Sequence, residues 1–132
     1  MASKVHKRYR LVICLLVDMI EHLGPDYFSP EDLQVIINTI CSFCDHPSAA
    51  NRQASSFGIG LIAKHGGESF HDYSQLCLNS LKKAIDVTET EKVKKDDGKL
   101  ADFNFARDNA ISSIGKILKY QNAFIRQDTT MS

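Results

Sequence analysis

The stretch "RQASSFGIGLIAKHGGES", residues 52–69, decides how this chain folds. It contains Gly58-x-Gly60-x-x-Ala63, the spacing of the glycine fingerprint found in dinucleotide-binding turns. A turn that cradles a phosphate needs a strand before it and a helix N-terminus at the glycines. Here polar Asn51-Arg52-Gln53 comes before, and apolar residues recur at helical spacing on both sides, so both glycines sit inside a helix. A glycine within a helix costs about 1 kcal/mol relative to alanine. Its presence therefore predicts a packing reason, a close approach of two helices where any side chain would push them apart.

The rest of the chain reads in the same period. Over 5–23, Tyr9, Val12, Ile13, Leu16, Ile20 and Leu23 recur three and four apart. Leu11, Cys14 and Leu15 add apolar surface on the other side, which predicts two neighbours for this helix. Gly24-Pro25 ends it. "SPED" opens a second helix over 30–44, with Ser29 as N-cap, Pro30 in the first position and Glu31-Asp32 in the first turn. Its apolar face is Leu33, Ile36, Ile37, Ile40, Cys41 and Cys44, ended by His46-Pro47.

A third helix, capped by Ser48, is predicted over 48–64 and closed by Gly66-Gly67. A fourth spans 72–86, with Tyr73, Leu76, Cys77, Leu81, Ala84 and Ile85 inward. Residues 87–101, "VTETEKVKKDDGKLA", are charged with almost no apolar period, and read as a solvated loop. A fifth helix is predicted over 103–120, and the last dozen residues read as the ragged start of a further element. No segment alternates with the period of a strand. The chain is predicted to be all-α.

Sliding the sequence on itself by 55 positions lays Arg52 on Arg107, Ile59 on Ile114, Gly60 on Gly115, Ile62 on Ile117 and Lys64 on Lys119. "NRQASSFGIGLIAKH" and "ARDNAISSIGKILKY" are thus the same kind of helix in two successive units. With roughly 15 residues assigned to an insertion at the charged loop, the underlying period is about 40, the length of HEAT and armadillo units. The prediction is a HEAT-type α-solenoid segment of about two and a half antiparallel helix pairs. Residues 5–23 are the second helix of a preceding repeat, 30–64 one repeat, and 72–120 another that carries loop 87–101 between its helices. So few units leave apolar faces open at both ends, which predicts a piece of a much longer chain that self-associates when isolated.

Composition narrows the function. Sixteen basic and sixteen acidic side chains cancel, against the basic excess of a nucleic-acid-binding domain. The longest apolar run, Leu11 to Val17, falls far short of the roughly 20 residues needed to span a bilayer. Lys4, Lys7, Arg8 and Arg10 precede that run as in a secretory signal, yet no small-residue cleavage site follows before Asp18. The cysteines at 14, 41, 44 and 77 form no spaced framework and read as reduced thiols. Cys41-x-x-Cys44 lacks the second ligand pair that zinc needs, and both thiols fall on an apolar helix face, where cysteine packs as a small hydrophobe. The five histidines share no motif. No cofactor, metal or catalytic group is predicted.

The residues also carry a family likeness. A helix reading R-Q-A-x-x-apolar-G-apolar-G-x-x-A, a His-Gly-Gly turn, and a following helix reading N-x-apolar-S-x-apolar-G-K-I fall here on Arg52 to Ala63, His65-Gly66-Gly67 and Asn109 to Ile117. In these the chain resembles the importin-beta (karyopherin-beta) superfamily of HEAT-repeat nuclear transport receptors. It looks closest to the large-importin branch that carries ribosomal proteins and histones. The valine usual before the repeat arginine is Asn51 in one unit and Ala106 in the other.

The resemblance implies a non-enzymatic carrier of the cytoplasm and nucleus. Such a carrier binds cargo on one face of a superhelix, touches phenylalanine-glycine nucleoporins, and releases cargo when GTP-bound Ran binds. The alternative is a HEAT scaffold of a phosphatase or chromatin complex.

HEAT-type repeats pair the arginine at this place with an aspartate near the end of the preceding helix or in the neighbouring unit. That makes Asp45 the expected partner of Arg52, and Asp86 or Asp108 that of Arg107, in a ladder that locks units in register. Gly58, Gly60 and Gly115 are the expected packing glycines. Asn109 is the expected cargo contact, since family members hold an extended cargo backbone with second-helix asparagines; a local hydrogen bond to the adjacent turn is the competing reading. Phe43, Phe70 and Tyr73 are candidates for nucleoporin contact.

Overall fold

A computed structural model describes residues 2–94 and 100–131, with side chains described over 8–90 and 106–121. Helix α1 spans Ala2–Leu23, α2 Pro30–Ser42, α3 Ala49–His65, the short α4 Gly67–Phe70, α5 Ser74–Lys94 and α6 Leu100–Met131. Single 3-10 turns at Pro25–Tyr27 and His71–Tyr73 complete the order, and the described residues contain no strand. Among them no helix is long and apolar enough to cross a membrane.

The punctuation read from the sequence accounts for most boundaries. Gly24 sits at φ 85 and its N–H bonds the carbonyl of Ile20, closing α1 in a conformation that glycine adopts without strain. The Ser29 hydroxyl accepts from the N–H of Asp32 at 3.1 Å, with Pro30 at the first helical position. Ser48 stands at the N-cap of α3, but its side chain makes no capping bond. Its backbone N–H instead reaches Nδ1 of His46 at 3.0 Å.

The helices form two layers. α3 is the central element of one layer, flanked by α1 on one side and α6 on the other, while α2 and α5 touch each other in the second layer. Val17 faces Gly58 and Glu21 faces His65, so α1 and α3 run parallel. Ser113 faces Ser56 and Gln121 faces Ala63, so α3 and α6 run parallel too. Successive parallel helices in one layer, joined through antiparallel partners in the other, make an all-α HEAT-like segment.

Packing follows the predicted faces, apart from Leu76 of α5, which is 39% exposed, and two larger exceptions. α2 buries Leu33, Ile36, Ile37, Ile40 and Cys41, with Cys44 just beyond it. α3 is buried nearly all round, and the residues that permit this are small: Ala54, Ser55, Ser56, Gly58, Gly60 and Ala63. The first exception is α1. It buries Ile13, Val17 and Ile20, but Tyr9, Val12 and Leu23 of the expected face are exposed, Leu11 and Leu15 are 67% and 60% exposed, and nothing among the described residues covers that side. The second is the charged stretch.

Residues 87–94 are the last two turns of α5, and 100–101 begin α6; residues 95–99 lie outside the described residues. The insertion has lengthened both helices of the hairpin instead of forming one loop. Glu and Lys are good helix formers, so a charged run at the end of a packed helix continues it. Thr88, within the stretch read as solvated, is fully buried.

Candidate functional site

Arg52 is the largest fully buried side chain described in the fold, at 0% exposure. It projects from the first turn of α3 toward the connection from α2. A guanidinium taken out of water needs its N–H groups satisfied. One terminal nitrogen donates to the carbonyls of His46 at 2.7 Å and Pro47 at 3.1 Å, and Nε donates to the Thr88 hydroxyl at 3.1 Å. Arg52 thereby ties the α2–α3 connection to α5 of the next helix pair. The expected partner Asp45 is exposed. Backbone carbonyls left over where α2 ends accept from the guanidinium.

Two further polar contacts fasten α3 to α6. The buried Ser113 hydroxyl donates to the carbonyl of Ser56. Fully buried Gln121 donates through Nε2 to the carbonyls of Ala63 at 3.3 Å and Gly67 at 3.0 Å, satisfying acceptors at the C-terminal end of α3. Both residues are missed by a reading of the sequence. Serine and glutamine read as surface residues, and nothing local marks the carbonyls they meet.

The glycines divide. A Cβ on Gly58 would stand 2.6 Å from Cγ2 of Val17 in α1, and one on Gly60 would stand 2.5 Å from Oγ of Ser113 in α6. These two positions let α1 and α6 lie against α3. Gly115 is different. It is exposed, and a Cβ there would meet nothing within 4 Å among the described residues, which show no close approach at this glycine. The reason is its side of the helix. Gly60 receives the next helix of the layer, and among the described residues nothing covers the equivalent side of α6, where Ile111 and Leu118 are exposed.

Arg107, the equivalent of Arg52, remains 32% exposed. It pairs with Asp108 at 3.3 Å and with Glu89 of α5 at 3.6 Å. The expected Asp108 pair is present, but a contact between adjacent residues of one helix links no units. Glu89 supplies the bond between helices. Asp86 is exposed, and Asn109 is half-buried on α6.

The aromatic candidates separate as well. Phe70 is 1% exposed and belongs to the core. Phe43 packs at 5.3 Å from Tyr9 and 5.7 Å from His46, joining α1 to the α2–α3 connection. Tyr73 lines an open groove of about 320 Å³ with Phe28, Leu33, Asp26 and Asp72.

Three thiols are buried where α2, α3 and α5 meet. Cys41 and Cys77 bring their sulfurs to 3.6 Å, and Cys44 lies 3.6 Å from the Ser55 hydroxyl. Burial pushes Cys44 up to about 12, only partly offset by the Ser55 hydroxyl. The contact between the two sulfurs, in which either can donate, raises Cys77 together with its burial and lowers Cys41 against its burial. Asp18, Glu21 and His22 bring possible metal-ligand atoms within 4.8 Å on the exposed face of α1. Their spacing of three and four residues on a helix accounts for that closeness.

The chain is 34% identical over 109 residues to a probable importin-5 homolog of Dictyostelium discoideum. The match covers 81% of the chain and 10% of that protein, so the chain spans about a tenth of the length of its relative. No family model and no solved structure matches. The likeness supports the importin-beta family at the level of the family.

Proposed function

We propose that this chain is a stretch of a nuclear import receptor of the large-importin branch, an interaction module without catalytic activity. It works in the cytoplasm and nucleus within a longer solenoid. In this reading α1 is the second helix of a preceding repeat, and the exposed Leu11 and Leu15 at one end and Ile111 and Leu118 at the other are covered by further repeats. Cargo proteins, Ran-GTP and phenylalanine-glycine nucleoporins are its partners through the complete receptor. Asn109 on α6 is the residue proposed to hold cargo backbone, and Tyr73 in its groove the one proposed to meet nucleoporin phenylalanines.

The observation that carries the reading is the pairing of two features. The parallel α1–α3–α6 layer is closed over glycines and a buried arginine, and the sequence that builds it is 34% identical to a piece of an importin-5 homolog. The test uses the parent protein, immobilised and exposed to cytosol with and without Ran locked in its GTP state. Basic proteins captured alone and lost with Ran are expected. Binders indifferent to Ran would instead identify a HEAT scaffold of an enzyme or chromatin complex.

A further inference from the structure

We propose that Cys41 and Cys77 form a peroxide-driven disulfide that clamps the second-layer helices α2 and α5 of successive repeats together. The proposal does not rest on the transport reading. Two sulfurs from helices 36 residues apart already touch at 3.6 Å. A disulfide brings sulfurs to about 2.0 Å, so the pair has to close from van der Waals contact to bonding distance.

The two thiols are not equivalent. Cys41 lines an open pocket of about 200 Å³ with Asn38, Ser42, Asp45, Ser80 and Lys83, wide enough for a molecule the size of peroxide. Cys77 has no exposed surface and sits behind it. Hydrogen bonds from Cys77 first, and Ser80 after it, favour the Cys41 thiolate, with burial opposing them. Cys41, 6% exposed at the wall of that pocket, is a thiol whose thiolate is favoured and which is backed by a second thiol, as peroxide-sensing cysteines are. Cys44, one turn along, has its thiol held neutral by burial and is directed at Ser55.

The chemistry is balanced in two steps. The Cys41 thiolate attacks one oxygen of hydrogen peroxide, the O–O bond breaks, and Cys41 becomes a sulfenic acid as the leaving hydroxide takes a proton to become water. The Cys77 sulfur then attacks the Cys41 sulfur. The S–O bond breaks, the Cys77 proton leaves with the hydroxyl as a second water, and one S–S bond has formed. Both sulfurs are oxidised and the peroxide is reduced. Repeat arrays bend at the interfaces between neighbours, so a covalent bond between α2 and α5 fixes the angle between two repeats.

The test treats the chain carrying Cys14→Ser, which removes the exposed thiol, with hydrogen peroxide under native conditions. Intact mass should fall by two hydrogens, and digestion without reduction should yield a peptide joined through Cys41 and Cys77. Cys44 should remain alkylatable after unfolding, and the urea midpoint should rise and return on reduction. In a Cys77→Ala variant the bond should be lost and dimedone should label Cys41. A native chain that keeps all three buried thiols while its unfolded form oxidises would overturn the proposal, and so would a bond involving Cys44. Mapping the bond needs no substitution in the core, so a variant that fails to fold leaves the test intact.

Discussion

Arg52 and Arg107 occupy the same place in two successive helices of one layer, each near the start of a run that ends in Ile-x-Lys, yet one is fully buried and the other a third exposed. The difference comes from the neighbour. Over Arg52 lies α5, whose Thr88 accepts from the guanidinium, whereas Arg107 pairs at the surface with Glu89 and Asp108. A repeat motif therefore defines a socket, and its energy depends on whether the next unit fills it.

Substitution should separate the two arginines more than any other pair. Arg52→Ala leaves the carbonyls of His46 and Pro47 without their donor and opens a large void. A loss of about 3–5 kcal/mol is expected in urea unfolding at fixed protein concentration. Arg107→Ala removes half-exposed ion pairs and should cost no more than about 1 kcal/mol. Similar losses at both sites would mean that the buried bonds of Arg52 contribute little.

Thr88→Val sharpens the comparison from the other partner. The shape is kept while the acceptor for Nε of Arg52 is removed, and a loss of about 1–3 kcal/mol is expected. The same substitution at exposed Thr90, two residues on, should stay within about 0.5 kcal/mol. Equal small effects at 88 and 90 would mark 87–94 as the solvated stretch that its composition suggests.

That stretch shows why part of the fold was legible and part was not. Caps and faces are local, so Ser29-Pro30, Gly24 and the α2 face were readable at once. The likeness of α3 to α6 was readable because Arg, Ile, Gly, Ile and Lys recur between them at a fixed spacing of 55. The helical continuation to Lys94 carried a weaker signal: Cys77, Leu81, Ala84 and Thr88 keep the period, but threonine is not counted among apolar residues. The bonds themselves were invisible. Arg52 could be picked out as unusual, but its carbonyl partners have no side-chain signature. Gln121 lies 58 residues from the carbonyl of Ala63 that it satisfies. Gly115 misled for the same reason, since its spelling matches Gly60 and only its surroundings differ.

The glycines give the smallest effects and the clearest signs. Alanine lowers the cost of an exposed helix interior by about 0.8–1 kcal/mol relative to glycine. At Gly115, where a Cβ meets nothing, Gly115→Ala should realise most of that gain and stabilise the chain by about 0.5–1 kcal/mol. At Gly60 the same methyl meets Oγ of Ser113 at 2.5 Å and its Cβ at 3.2 Å. Ser113 can turn away only by giving up its bond to the carbonyl of Ser56 in a buried setting. The propensity gain is then outweighed, and Gly60→Ala should destabilise by about 1–2 kcal/mol net. Opposite signs for one substitution at equivalent positions follow only if α6 lies against α3 in this register. Stabilisation at both would show that the helices stand farther apart, and would remove the packing argument from Gly60 as well as from Gly115.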